Sequence, residues 1–144
     1  MKEVLNAARV SFPALGENES FARIVTAGFL MHVGVTPSQL ADIKTVVSEA
    51  VTNAIVHGYR GQAGKDCTVV LDLKYRRDGI LIVSVTDRGR GIENVEAAME
   101  PFFTTDREGE RSGMGLPIMQ AFTDSLRILS RPGYTRVTMK KKIG

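Results

Sequence analysis

The sequence predicts an α+β fold in which helices cover one face of an antiparallel or mixed sheet. Segments of alternating apolar and polar residues come in pairs around short turns, such as Asp78-Gly79, and this pattern favours β-hairpins. Two segments of helical periodicity follow each other directly between residues 18 and 58. Helices grouped in this way, rather than alternating singly with strands, indicate one helical layer packed on one sheet.

Length and composition predict a single domain over residues 1–144, with 43% hydrophobic and 24% charged residues as in an ordinary globular protein. Cys67 is the only cysteine, which excludes an internal disulfide and fits a cytoplasmic location. No apolar run has the length of a membrane span, and the charged N-terminus lacks the core of a signal peptide. The net charge of +3 without a basic stripe interleaved with aromatic residues argues against direct nucleic-acid binding.

The first half of the chain begins with an alternating strand over residues 4–12, closed by Pro13. A first helix follows, for which Asn18 or Ser20 is the expected cap, Gly34 the end, and Arg23 a residue of the outer side. Its predicted buried face consists of Phe21, Ile24, Val25, Gly28, Phe29 and Leu30. A second helix starts at Thr36-Pro37, with the proline in its first turn, and ends at His57-Gly58. Its predicted buried face consists of Ile43, Val46, Val47, Ala50, Val51, Ala54 and Ile55.

The second half is predicted to contain four strands, over residues 69–75, 80–86, 126–130 and 135–139. A short helical piece is predicted at residues 95–99. Residues 100–112 are polar and glycine-containing, and such a stretch inside a compact domain favours a functional loop. A third helix opens at residues 113–117, and its predicted apolar face is Ile118, Met119 and Phe122.

Glu49, Asn53 and His57 lie four residues apart on the second helix and therefore share one stripe beside its buried face. An asparagine oxygen can ligate Mg²⁺, and a carboxylate one turn away can orient or deprotonate a hydroxyl near that metal. The alternative is a solvated polar face. For His57, packing or capping is the favoured role.

Two glycine motifs accompany this pair. Asp87 ends a predicted apolar strand in D-x-G-x-G, where the carboxylate can accept a hydrogen bond from an exocyclic amino group and Gly89 and Gly91 let the backbone turn closely around a flat ring. Gly113 and Gly115 open a helix, whose free N–H groups favour an anion such as phosphate. Each motif alone also has a plainer explanation: a strand-ending turn for D-x-G-x-G, and a flexible hinge for Gly113 and Gly115.

The order E-x-x-x-N, D-x-G-x-G, lid-like loop, G-x-G resembles the GHKL superfamily, which includes gyrase, histidine-kinase catalytic domains and MutL. The resemblance covers roughly residues 36–140. It implies the Bergerat ATP-binding fold, a two-layer α/β sandwich with a mixed, mostly antiparallel sheet. In that fold the nucleotide is held between the sheet, the helices and a mobile lid.

Several stretches resemble more closely the anti-sigma F factors of spore-forming bacteria: N-E-S-F-A-R, D-I-K-T-V-V-S-E-A-V-T-N-A-I-V-H-G-Y, P-F-F-T-T and E-R-S-G-M-G-L. This likeness spans nearly the whole chain. It implies an anti-sigma factor of sporulation that binds and inhibits a sigma factor. It also implies a homodimer and an ATP-dependent protein serine kinase, which phosphorylates an anti-anti-sigma protein using ATP and Mg²⁺ and leaves ADP.

By this resemblance, Glu49 is the base toward the substrate serine, Asn53 ligates Mg²⁺, Asp87 reads adenine, and Gly89 and Gly91 line the base pocket. The residues implied for the lid and phosphate region are Thr104, Thr105, Arg111, Ser112, Gly113 and Gly115. Thr135 is implied near adenine. A solvated charge is the plain interpretation of Arg23, whereas the resemblance in N-E-S-F-A-R implies a protein contact.

Two other functions stay open from the sequence. One is a nucleotide-gated sigma-binding module with little kinase activity, against which the intact Glu49 speaks. The other is a detached histidine-kinase-type catalytic domain, which needs a phosphoacceptor helix that the predicted elements do not supply.

Overall fold

A computed structural model of the chain describes residues 3–60, 67–92 and 115–143. The described strands are β1 (Val4–Pro13), β2 (Thr68–Arg76), β3 (Ile80–Asp87), β4 (Ser125–Arg131) and β5 (Tyr134–Lys142). The described helices are α1 (Asn18–Phe29), α2 (Pro37–Asn53) and α3 (Gly115–Ala121), and a π-helical turn over Ala54–Gly58 extends α2. The helix predicted at residues 95–99 lies outside the described residues.

The five described strands form one sheet in the order β1-β2-β3-β5-β4, and each neighbouring pair is antiparallel. The predicted α+β class is confirmed, and the sheet is antiparallel throughout its described strands rather than mixed. β2 and β3 are joined by the predicted turn, where Gly79 has φ +86°. This left-handed conformation suits glycine. A second turn joins β4 to β5, where Gly133 has φ +84°.

Helix α2 lies at the centre of the core because its apolar face is continuous. All seven residues predicted for that face are buried. They pack on alternate residues of the central strands, among them Leu71, Leu73, Val83 and Val85. The start of α2 is a capping box: Thr36 Oγ1 accepts from the Gln39 N–H, and Gln39 Oε1 accepts from the Thr36 N–H. Pro37 occupies the first turn as predicted.

Helix α1 differs from its prediction in its face and in its ends. The buried residues are Ala22 and Thr26, followed by Leu30 at the C-cap, whereas Phe21 and Ile24 are 43% and 69% exposed. The predicted face is therefore wrong in part. Apolar residues occur all round this helix, so periodicity alone does not select the side that meets α2.

Neither predicted cap of α1 is correct. Glu17 is the N-cap without a side-chain cap bond, and Asn18 Nδ2 donates instead to the Pro13 carbonyl at 2.8 Å. The helix ends at Phe29 rather than at Gly34. In α3, Met119 is fully buried and Leu116 is 7% exposed, whereas Phe122, one residue after the helix, is 37% exposed. Part of that predicted apolar face is therefore also wrong.

Candidate functional site

The carboxylate of Asp87 lies at the end of β3, where the sheet meets the end of α2. The residue is 5% exposed, and its Oδ1 accepts a hydrogen bond from the Gly89 N–H at 2.9 Å. Burial raises the pKa of Asp87 to about 6, and the bond from Gly89 offsets part of that rise. A buried acceptor with little protein hydrogen bonding is suited to a ligand that brings its own N–H donor.

Two glycines allow the chain to approach this carboxylate. A β-carbon added to Gly58 would lie 2.7 Å from Asp87 Oδ1, and one added to Gly89 would lie 2.0 Å from the Gly58 carbonyl oxygen. Any larger residue at either position would displace backbone or fill the space beside Asp87. The sequence predicted Gly89 as part of the pocket and missed Gly58, for which the signal was a glycine placed one residue after His57 in the E-x-x-x-N helix.

Hydrogen bonds fix the segment after Asp87 against the π-helical turn. The Arg90 N–H donates to the Gly58 carbonyl, and Arg90 Nε donates to the His57 carbonyl, both at 2.9 Å. His57 thus contributes a backbone carbonyl to this contact. π-Helical turns inside helices occur often at functional sites, and this one ends at Gly58, which lies against Asp87.

Gly91 and Thr135 complete this end of the site. Gly91 has φ +85°, and a β-carbon there would lie 2.4 Å from the Arg131 carbonyl oxygen. Thr135 is directly opposite Asp87 in the β3–β5 pairing and is 5% exposed. Its Oγ1 lies 2.7 Å from Ser130 Oγ, which also accepts from the Ile92 N–H at 2.7 Å. The sequence did not indicate that Ser130 links Thr135 to Ile92.

Glu49 and Asn53 lie one turn apart on α2, and both are partly buried. The first residue of α3 packs directly on them: a β-carbon on Gly115 would lie 2.9 Å from Asn53 Nδ2 and 3.1 Å from Glu49 Oε2. The structure therefore brings Gly115 against two residues that lie more than 60 positions earlier in the sequence. A carboxylate and a carboxamide meet a backbone without a side chain at this contact.

The two parts of the site lie along one helix. The π-helical turn that ends at Gly58 directly follows Asn53, so the Glu49–Asn53 pair and the Gly58–Asp87 contact lie at successive positions along one helix. The other predicted phosphate residues, Thr104, Thr105, Arg111, Ser112 and Gly113, lie outside the described residues.

The prediction that Arg23 lies on the outer side of its helix is wrong. Its Nη1 donates to Glu19 Oε1 at 2.7 Å and lies 3.0 Å from Ser48 Oγ, so it joins α1 to α2. Glu19 also accepts from Ser48 Oγ at 2.6 Å and from Thr52 Oγ1 at 2.8 Å. Burial raises the pKa of Glu19, but the bonds from Ser48, Thr52 and Arg23 outweigh burial and hold that pKa below its usual value.

Neither a transmembrane helix nor a metal cluster belongs to the described part of the chain. No helix there is long and apolar enough to cross a membrane. Residues 3–60, 67–92 and 115–143 also contain no group of three or more His, Cys, Asp or Glu side chains arranged to hold a metal ion.

The geometry has a counterpart in known proteins. The family model of the histidine kinase-like ATPase domain matches residues 12–141, and the chain belongs to this family of nucleotide-binding ATPases and kinases. Solved structures with the same fold include the RsbU and RsbW domains of a Mycobacterium tuberculosis protein. That match has a TM-score of 0.70 at 24% identity and covers 96% of this chain and 32% of that chain.

Within that family the chain belongs to the anti-sigma F factors. It is 46% identical to the anti-sigma F factor of Thermoanaerobacter sp. (strain X514) over 99% of this chain and 97% of the relative. It is also 46% identical to the one from Clostridium perfringens (strain SM101 / Type A), over 96% of this chain and 97% of the relative. A further structure of the same fold, the SiaB-SiaC complex from Pseudomonas aeruginosa, matches with a TM-score of 0.62 at 15% identity and covers 98% of this chain and 91% of that chain.

Proposed function

We propose that this protein is a cytoplasmic anti-sigma factor that binds and inhibits a sporulation sigma factor. We also propose that it phosphorylates an anti-anti-sigma protein on serine with ATP and Mg²⁺. The observation that carries the proposal is the convergence of Glu49, Asn53 and Gly115 in a chain that matches anti-sigma F factors over nearly its full length.

Adenine recognition is assigned to Asp87. Its buried carboxylate accepts only one described hydrogen bond, from Gly89, and is therefore available to the exocyclic amino group of adenine. Thr135, opposite Asp87 in the sheet, supplies a hydroxyl beside it. Gly58 and Gly89 let the backbone approach this carboxylate closely, and the flat ring is assigned to the surface beside it.

Phosphate positioning is assigned to the other end of the site. The space that a β-carbon of Gly115 would fill lies against the Asn53 carboxamide, and a carboxamide oxygen is a ligand type that Mg²⁺ accepts. When bound, Mg²⁺ neutralises charge that develops on the transferred phosphate. Asn53 holds this position through α2, and the phosphates are assigned to the side of Asn53 at which α3 begins.

Proton transfer is assigned to Glu49. Its carboxylate lies one helical turn before Asn53 and within about 3 Å of the space over Gly115. The serine hydroxyl of the antagonist approaches the Glu49 carboxylate, which orients it and takes its proton as the oxygen bonds to the γ-phosphorus. ADP leaves with the electron pair of the broken P–O bond, and the product is a phosphoserine.

A homodimer is proposed as the working form. Its support on the structure is the exposed apolar side chains of α1 and of the turn after it: Phe21 and Ile24 on the helix are 43% and 69% exposed, and Met31 in the turn is 72% exposed. Single exposed apolar residues are ordinary, but several near one helix favour a protein contact. Sedimentation of wild type and Ile24→Glu measures this, and we expect the variant to be a monomer.

The central experiment is single-turnover transfer of labelled phosphate from ATP to the anti-anti-sigma protein, followed by acid treatment of the product. Wild type should give an acid-stable product, and the rate of its formation should fall about 10²–10⁴-fold in Glu49→Gln. This result would support a serine kinase with Glu49 as the base. An acid-labile product would assign histidine-kinase chemistry instead. Unaltered transfer in Glu49→Gln would remove Glu49 from the mechanism, and the matched control is Ser48→Ala.

A further inference from the structure

Three polar side chains form a row across one end of the sheet, on the face that the helices cover. Strand pairing places Asp87 of β3 opposite Thr135 of β5, and Thr135 opposite Ser130 of β4. Asp87 and Thr135 each follow the alternation of buried core residues, Val85 in β3 and Val137 in β5, so the row faces the helices. It therefore runs from the carboxylate assigned to adenine to the outermost described strand.

The hydroxyl group of Ser130 has hydrogen-bond neighbours that match its one proton and two lone pairs. Its oxygen accepts from the Ile92 N–H at 2.7 Å, and its proton is donated to the Tyr134 carbonyl at 3.3 Å. The remaining neighbour is Thr135 Oγ1 at 2.7 Å. Since the proton of Ser130 and one of its lone pairs are in use, only the second lone pair is left for Thr135.

The bond between the two hydroxyl groups therefore runs from Thr135 to Ser130. The opposite direction would leave the Thr135 proton without an acceptor, because Ser130 is the one hydrogen-bond neighbour of Thr135 Oγ1 within residues 3–60, 67–92 and 115–143. Thr135 is 5% exposed, and a buried hydroxyl proton without an acceptor is costly. This direction leaves the Thr135 oxygen with lone pairs but no proton to offer a ligand.

Thr135 and Asp87 are then two hydrogen-bond acceptors side by side. The Cβ atoms of directly opposite residues lie about 4.5–5.5 Å apart, so both side chains can reach one small group. The exocyclic amino group of adenine carries two N–H donors and suits such a pair. A 6-oxopurine such as guanine or hypoxanthine has a carbonyl oxygen at that position, which would meet two acceptors and no donor.

We infer that Ser130 is a specificity-determining positioning residue, which keeps the Thr135 hydroxyl an acceptor and thereby favours adenine over a 6-oxopurine. This inference rests on the proposed adenine site at Asp87. Ser130 acts through the Thr135 hydroxyl and not by contact with the base. Without Ser130, the Thr135 hydroxyl can turn and donate its proton to a carbonyl oxygen of the ligand.

Calorimetric titration with ADP and with inosine 5′-diphosphate (IDP), both with Mg²⁺, tests this inference. IDP has a carbonyl oxygen in place of the amino group and a proton on the neighbouring ring nitrogen. Wild type should bind ADP at least about tenfold more tightly than IDP, because a site built to accept from an amino group rejects a base that lacks it.

Ser130→Ala should reduce the preference for ADP over IDP by about three- to tenfold, the worth of one hydrogen bond. ADP loses an acceptor that was held in place, and IDP gains a donor. Ser130→Thr keeps a hydroxyl group at this position and should restore the preference to within about twofold. A change that only loosened the fold would weaken both nucleotides together and leave their ratio unaltered.

Ser84→Ala is the matched control. Ser84 Oγ lies 3.1 Å from Thr138 Oγ1 in a similar hydroxyl pair between β3 and β5, but on the opposite face of the sheet. Ser84 is 2% exposed, so its replacement has a stability cost of its own. The preference for ADP over IDP should nevertheless stay within about twofold of wild type.

Thr135→Val separates an effect through Thr135 from one through the Ile92 contact. In this background Ser130→Ala should no longer change the preference, because the hydroxyl group that it orients is gone. An equal change in both backgrounds, an unaltered preference in Ser130→Ala, or an equal loss in Ser84→Ala would overturn the role of Ser130 alone. Equal binding of ADP and IDP by wild type would instead overturn the assignment of Asp87 to adenine, and this inference with it.

Discussion

Gly58 and Asp87 are in direct contact across the junction of helix and sheet: a β-carbon on Gly58 would lie 2.7 Å from the Asp87 carboxylate. Gly58 ends the π-helical turn after α2, and Asp87 ends β3. This contact joins the two motifs of the candidate site, because the helix that holds Glu49 and Asn53 leads directly to the carboxylate assigned to adenine.

Gly58→Ala should weaken ATP binding and lower the free energy of unfolding by about 1–3 kcal/mol, the usual cost of overpacking a tight contact. Gly28→Ala is the matched control, since a β-carbon there meets nothing within 4 Å. That change should stabilise α1 by about 0.5–1 kcal/mol. Thermal unfolding and calorimetric ATP titration measure both effects, and an unchanged ATP affinity in Gly58→Ala would contradict the contact's role.

Asp87→Asn should stabilise the nucleotide-free protein at pH 7 while it weakens ATP binding. The folded pKa of about 6 lies above the usual 3.8, so the folded protein binds the proton more tightly than the unfolded chain does. Wild type therefore loses stability as the pH rises from about 4 through 6, by up to about 3 kcal/mol. The variant has no such loss, because its amide does not titrate.

Unfolding of wild type and of Asp87→Asn between pH 3.5 and 8 checks the direction of this pH dependence. The two stabilities should differ most above pH 7 and converge below about pH 4. ATP affinity of wild type should also fall below pH 6, because the protonated carboxyl group is a weaker acceptor for an amino group. Parallel pH curves for the two proteins would disprove the raised pKa.

Asn53→Ala should leave the fold intact and reduce phosphoryl transfer strongly, because it removes the proposed Mg²⁺ ligand. The defect should be greatest at limiting Mg²⁺. Transfer rates across a Mg²⁺ series test this, with Thr45→Ala as a control on the same helix, since Thr45 Oγ1 donates to the Ala41 carbonyl of its own helix. Near-normal transfer at low Mg²⁺ would remove Asn53 from the metal site.

Gly115→Ala should reduce transfer without weakening the helix in which it lies, because alanine has a higher helix propensity than glycine. Its added carbon would lie 2.9 Å from Asn53 Nδ2 and 3.1 Å from Glu49 Oε2 and would displace these side chains. We expect a lower rate of transfer with sigma binding retained. Wild-type transfer in this variant would show that the reaction does not depend on how Asn53 and Glu49 pack on Gly115.

Arg23→Glu should weaken binding of the sigma factor or the antagonist while ATP affinity is kept. The stability loss should be small, on the order of 1 kcal/mol or less, because Arg23 and Glu19 are both about one-third exposed. Arg23→Gln separates the two roles: it removes the ion pair without placing a second carboxylate beside Glu19. Unaltered affinity of both variants for both proteins would limit Arg23 to joining α1 and α2.

The sequence by itself determined the elements and the positions of the motifs on them. The continuous apolar face of α2, the capping box at Thr36 and the alternation in β2 and β3 are local patterns. Interactions between residues close in the sequence are therefore sufficient to specify these elements. The same holds for Asp87 at a strand end and for Glu49 and Asn53 one turn apart, since helix and strand periodicity fix such relationships.

Only the tertiary structure decided which faces meet. Helix α1 has apolar residues on several sides, and packing against α2 selects Ala22 and Thr26 while Ile24 stays exposed. The same packing turns Arg23 toward Glu19 and Ser48. The contacts of Gly58 with Asp87 and of Gly115 with Asn53 join residues distant in the chain. They depend on how closely two backbones approach, a quantity that packing sets and that no local pattern encodes.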